Sequence, residues 1–133
     1  MNWREDEVRL LPLEQIDERL HRYRLAQPKL EKSMAQSLER YGQLSPIVIC
    51  VHEDNHVLID GFKRLSAARK LKGVPRLAAR RMEVDEQGAK AAIYNLNRIG
   101  GRPLELEEAW IVHALVREDG LSLVEAAQLL GRH

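Results

Sequence analysis

Apolar and polar positions along the chain follow two rhythms, one of period two and one of three to four. Val8 to Leu13 is a short strand-like run with Pro12 near its end, where a missing N–H matters least. Pro46-Ile-Val-Ile-Cys-Val51 and Val57-Leu-Ile-Asp60 are β-branched runs on either side of the polar segment His52–His56, the pattern of a hairpin. Arg76 to Met82 predicts a further strand. Between them, Leu30, Met34, Ala35, Leu38 and Tyr41 share one face of a helix that Gly42 ends. Gly61 opens another helix running to about Leu71, which Gly73 and Pro75 stop. Asp17 to Pro28 is polar and irregular, with His21, Arg22, Tyr23 and Arg24 close together, and reads as a loop over a binding surface.

Helical periodicity returns from Asp85 to about Arg98, breaks at Gly100-Gly-Arg-Pro103, and resumes from Glu105 to Glu118. A last helix follows Ser122, with Glu125 three residues on as its capping-box partner. The pattern is therefore α+β: a small mixed sheet with helices over residues 1–82, then a helical part over 83–133. Trp110 and Leu115 read as core, and Trp3 as a loose or interface anchor. Leu121 to Gly131 resembles the first helix and turn of a helix-turn-helix. No residues remain before the end at His133 for a recognition helix, so the chain reads either as cut short or as having lost sequence-specific DNA reading.

At 44% hydrophobic and 31% charged, the 133 residues suffice for one cored domain, with room for a small appended unit. The formal net charge is +1, so a polyanionic partner must be argued from clustering. Such a cluster exists: from Gly61 to Met82 there are eight Lys or Arg and no acid. Cys50 is the sole cysteine, which excludes an internal disulfide and multi-thiolate zinc. No apolar run has the length of a membrane span and no signal-peptide pattern opens the chain, so the reading is cytoplasmic, with no membrane partner. The five histidines have no metal-ligand spacing and read as surface residues.

The candidate chemistry sits at Asp60-Gly-Phe-Lys-Arg64, where a strand turns through glycine into a basic helix. Backbone N–H groups there meet the side chains of Lys63 and Arg64, a ready site for phosphate. Two cations at the positive end of a helix repel its dipole unless an anion is bound, which strengthens the phosphate reading. Asp60 is expected to cap the helix. Asp60 and Glu31 are also conceivable bases, and Tyr23 and Arg24 either stack on a base or pack.

Three segments in order carry a family resemblance over Val8 to Gly131. They are Tyr23-Arg-Leu-Ala-Gln-Pro28 with Tyr41-Gly-Gln-Leu-Ser-Pro-Ile-Val48, Asp60-Gly-Phe-Lys-Arg-Leu-Ser-Ala-Ala68, and Tyr94-Asn-Leu-Asn-Arg98 with Pro103-Leu-Glu-Leu-Glu-Glu108. They resemble the ParB-like N-terminal domain of DNA-partition proteins, whose strand-to-helix turn reads GERR, and more distantly sulfiredoxin, whose turn reads GGCHR. The resemblance implies a ParB/sulfiredoxin fold and a bound cytidine triphosphate or another nucleoside triphosphate, with or without Mg2+. It also implies a chromosome- or plasmid-partition role on DNA, in the nucleoid, as a homodimer or clamp. Carried across, it places Gln27 and Pro28 at the base and Gly61, Lys63 and Arg64 on the phosphates. Gly42 falls in the adjoining turn, and Asn95, the candidate metal ligand, closes the site with Arg98.

Two acids of that pattern are replaced, by Phe62 and by Tyr94. An aromatic ring neither ligates Mg2+ as a carboxylate does nor orients an attacking water, so hydrolysis is expected to be weak or absent while binding survives. Sulfiredoxin chemistry is excluded because its turn cysteine is Phe62 here. Two alternatives stay open: a kinase-like phosphotransfer enzyme on the same fold, and an interaction module that has lost the nucleotide, its pocket filled by Phe62 and Tyr94.

Overall fold

A computed structural model describes residues 3–24, 28–99 and 105–131, with the side chains of all of these except residues 97–99, 105 and 106. Strand β1 (Val8–Pro12) is followed by a 3-10 turn (Leu13–Gln15), the two-residue β2 (Ile16–Asp17) and a 3-10 helix (Arg19–Tyr23). Helix α1 (Pro28–Tyr41) then leads to the hairpin β3 (Ile47–His52) and β4 (Asn55–Asp60), helix α2 (Phe62–Lys70) and β5 (Arg76–Arg81). Helices α3 (Glu86–Ile99), α4 (Glu105–Arg117) and α5 (Leu123–Leu129) complete the described chain.

The five strands form one mixed sheet in the order β1-β5-β3-β4-β2. Its central strands β3 and β4 pair antiparallel, with Cys50 opposite Val57, and β5 runs parallel to β3, with Ala79 beside Ile47. Strand β1 closes one edge antiparallel to β5, and β2 the other, parallel to β4. Buried on both faces, Ile47, Ile49, Leu58 and Ile59 form a continuous apolar run rather than an alternating one. Each contributes about 1.5–3 kcal/mol by leaving water. Leu65, Ala67 and Ala68 of α2 and Ala89 and Ile93 of α3 join the same core, which also holds Leu115 and Leu130.

Side chains complete what the backbone leaves open. The Gln43 amide accepts from Ala78 N at 2.6 Å and donates to Ala78 O at 2.7 Å, so it behaves as an extra residue of β3 beside β5. The hairpin turn places both Glu53 (φ 49°) and Asp54 (φ 66°) in the left-handed region, where glycine or asparagine is the usual choice. The capping box at α5 is present as expected: Ser122 Oγ accepts from Glu125 N, and Glu125 Oε1 from Ser122 N, each at 3.0 Å.

Three expectations change. Residues 17–24 are not an irregular loop, because Leu20 and Tyr23 are buried and hold a 3-10 helix in place. Trp3 is not a loose anchor: it is 2% exposed, donates from Nε1 to Glu7 O at 3.0 Å and meets His56 edge to face. Trp110 is only half-buried, although Leu115 is core as expected.

One polar network had no sequence signal. Lys90 is 2% exposed, and its Nζ lies 2.7 Å from Asp119 Oδ2 and 3.3 Å from Glu118 Oε2. The same Glu118 oxygen accepts from Tyr23 Oη at 3.1 Å and from Arg22 Nη2 at 2.8 Å. Burial alone would lower the Lys90 pKa, but its two carboxylate partners outweigh it and the net direction is upward. Burial likewise acts to raise Glu118, and the Lys90 and Tyr23 bonds with the Arg22 charge prevail and hold it below its ordinary value. The network clamps the 3-10 helix, α3 and the end of α4 together.

Candidate functional site

The turn from β4 into α2 is set by Gly61, which takes φ 110° as the N-cap. A Cβ there would come within 2.5 Å of Ile47 Cγ2, so both the conformation and the packing require glycine. Leu65 N bonds back to Gly61 O at 2.9 Å, and no side chain caps the helix start. The expected Asp60 cap is therefore not formed, because Gly61 itself occupies the N-cap position. The N–H groups opening α2 remain available to an anion.

A cavity of about 150 Å³ lies over this helix start. Asp60, Gly61, Phe62, Lys63 and Arg64 form its floor, while His21 from the 3-10 helix, Arg24 just after it, and Glu31 and Met34 from α1 form its walls. A second cavity of about 170 Å³ adjoins it across Met34 and Arg64 and is lined by Gly42, Gln43, Leu44 and Ser45. Phe62 is 8% exposed, and its ring centroid is 5.7 Å from that of His21.

The charges are nearly balanced. Arg64 Nη1 donates to Ser45 O at 3.1 Å and to Pro46 O at 3.0 Å, fixing the entry to β3 from the cavity edge. Arg24 Nε is 3.7 Å from Glu107 Oε2 of α4, with the two side chains 15% and 7% exposed. Burial and the neighbouring Arg24 push the Lys63 pKa down against the pull of Glu107, Glu31 and Asp60. Elsewhere in the basic segment, Arg69 pairs with Glu18, and Arg81 donates to Trp3 O and pairs with Glu83. Two of its cations, Arg69 and Arg81, are thus paired with acids within the fold.

Of the sequence candidates, Gly61, Lys63 and Arg64 converge on one cavity and Gly42 lines its neighbour. Pro28 is exposed at the start of α1 and Asn95 is exposed on α3, and neither lines the two cavities described above. Gln27 and the Arg98 side chain lie outside the described residues. Tyr94 is 1% exposed in the core, and of the two aromatic replacements Phe62 is the one that lines the cavity at the start of α2. Among the described residues no group of three or more His, Cys, Asp or Glu could hold a metal ion. His21 and Glu107 had no assigned role in the sequence. The close-set basic residues from His21 to Arg24 were a usable signal, but nothing local ties Glu107 to Arg24.

A family model described as the ParB N-terminal domain matches residues 2–96. The chain belongs to the ParB N-terminal domain family. The fold of this ParB N-terminal domain is similar to that of a C-terminally truncated chromosome-partitioning protein ParB from Caulobacter crescentus, solved with CTP-γ-S. The two are 20% identical with a TM-score of 0.59, over 96% of this chain and 72% of that one. A Pnob8-like ParB-N domain gives a TM-score of 0.69 at 17% identity, over 93% of this chain and 59% of that one. Sulfiredoxin from Arabidopsis thaliana gives 0.56 at 23% identity, over 65% of this chain and 97% of that one. No curated protein matches the chain.

Against the sulfiredoxin likeness, the ParB N-terminal domain here carries Phe62 in the turn and holds its cysteine elsewhere. Cys50 is buried in β3, and burial pushes its thiol up to about 11. A protonated thiol inside a sheet is inert as a nucleophile.

Proposed function

We propose that this ParB N-terminal domain binds a nucleoside triphosphate, cytidine triphosphate first among the candidates, and works in a DNA-associated homodimer with hydrolysis weak or absent. The observation that carries this is the uncapped start of α2 at Gly61, with Lys63, Arg64 and Arg24 around one cavity. A polyanion would meet the uncapped N–H groups of the helix start and the cations beside it at once. Support also comes from the Caulobacter ParB structures, one with CTP-γ-S and one with the centromeric parS site. In this reading residues 1–82 hold the phosphates, and residues 83–133 form a helical subdomain that includes the start of a helix-turn-helix. Gln27 and Pro28 lie toward the base, and Asn95, as metal ligand, closes the site with Arg98.

Calorimetric titration with the cytidine, adenosine and guanosine triphosphates tests the reading. Micromolar binding of at least one is expected; no binding of any would overturn it. One observation favours a second reading, an interaction module without nucleotide. Phe62 and His21 leave a cavity of about 150 Å³, whereas small-molecule sites usually offer about 300–1,000 Å³. Under that reading Phe62→Ala restores no nucleotide binding; under the first it leaves binding intact.

A further inference from the structure

The cavity at the start of α2 is already occupied electrostatically. Arg24, Lys63 and Arg64 bring three positive charges to its lining and Glu31 and Asp60 two negative ones, while Glu107 acts on Arg24 and Lys63 from outside the lining. Glu31 and Asp60 belong to the walls and floor. Glu107 is different, since it arrives from α4 and pairs with Arg24 away from water, where salt screens the pair weakly. It also stands in the first turn of α4, where the helix dipole favours a carboxylate whether or not Arg24 is present. The dipole therefore offsets part of what Glu107 loses when Arg24 turns to another anion.

Resting on the nucleotide reading above, we propose that Glu107 is a resident counter-anion that competes with the ligand's phosphates for Arg24 and Lys63, and so sets the affinity of the site. The phosphoryl oxygens take up the guanidinium and ammonium donors as the carboxylate gives them up. Glu107 thereby determines how strongly charged a ligand must be to enter: a triphosphate displaces one carboxylate more readily than a monophosphate does. The direction of the Lys63 shift agrees, because an ammonium depressed by burial and by Arg24 gains most from an incoming anion.

The test is calorimetry on the full chain with inorganic triphosphate and cytidine triphosphate as probes. Glu107→Gln is expected to bind either probe about tenfold more tightly than the wild type, the range of a close, poorly solvated charge pair. Glu107→Asp, whose shorter side chain withdraws the charge from Arg24, is expected to show a smaller gain and carries the test should the Gln variant not fold. Glu108→Gln removes the neighbouring charge, which faces the groove between α4 and α5, and is expected to stay within about twofold of wild type, as distant screened charges do. Unchanged or weaker binding by the Glu107 variants overturns the inference while leaving the nucleotide site in place. An equal gain in Glu108→Gln also overturns it, in favour of a general charge effect. Absence of binding by the wild type and all variants overturns both this inference and the proposed function.

Discussion

At the scale of single residues, Gly61 carries the strictest demand in the fold. Its φ of 110° and the 2.5 Å approach of Ile47 Cγ2 act on the same atom, the Cβ it lacks. Gly61→Ala is expected to cost about 2 kcal/mol through strain and overpacking, read from chemical denaturation midpoints. Under the proposed function the same change is expected to disturb the start of α2, so that nucleotide binding falls with stability. Phe62 beside it was visible in the sequence as a departure, and its burial against His21 gives that departure a physical form. The ring takes space at the cavity floor.

Among elements, those with strong local signals were legible. The α1 helix ending before Gly42, the hairpin runs, the Gly61 turn and the Ser122–Glu125 box each rest on neighbours a few residues apart and formed as expected, although Leu30 and Tyr41 at the ends of the α1 stripe are exposed. What escaped depends on distance. The 3-10 helix from Arg19 to Tyr23 exists because Leu20 and Tyr23 find a core built by later segments, and a polar-looking stretch does not advertise that. The site divides in the same way: Gly61, Lys63 and Arg64 are adjacent in sequence, while Glu107 reaches Arg24 only through the tertiary fold. Gln43 is a further case, its amide serving as a strand residue for Ala78. Gln43→Leu leaves Ala78 N and O without those partners. A loss of about 1–3 kcal/mol is expected, with faster amide exchange confined to β5.

For the whole molecule, the Lys90 network joins three helical elements and predicts a pH window. Lys90 has a raised folded pKa, so its contribution is complete below its ordinary 10.5 and fades as pH rises through the folded value. Glu118 has a lowered one, so its contribution is present above its ordinary 4.5 and fades as pH falls through the folded value. Thermal midpoints should thus be flat in this respect across neutral pH and decline at both ends. Lys90→Met should lower stability throughout the plateau by about 2 kcal/mol, seen as lower midpoints, because Asp119 is then left largely buried without that partner. A plateau unchanged by Lys90→Met would show that the network adds nothing to stability. The partners in this clamp also have a consequence in time. Arg22 and Tyr23 meet Glu118 across 96 and 95 residues, and Trp3 meets Arg81 across 78. Contacts of such span close late, so the 3-10 helix that walls the cavity cannot settle on a growing chain until α4 has been made. The site is among the last parts of the molecule to exist during synthesis.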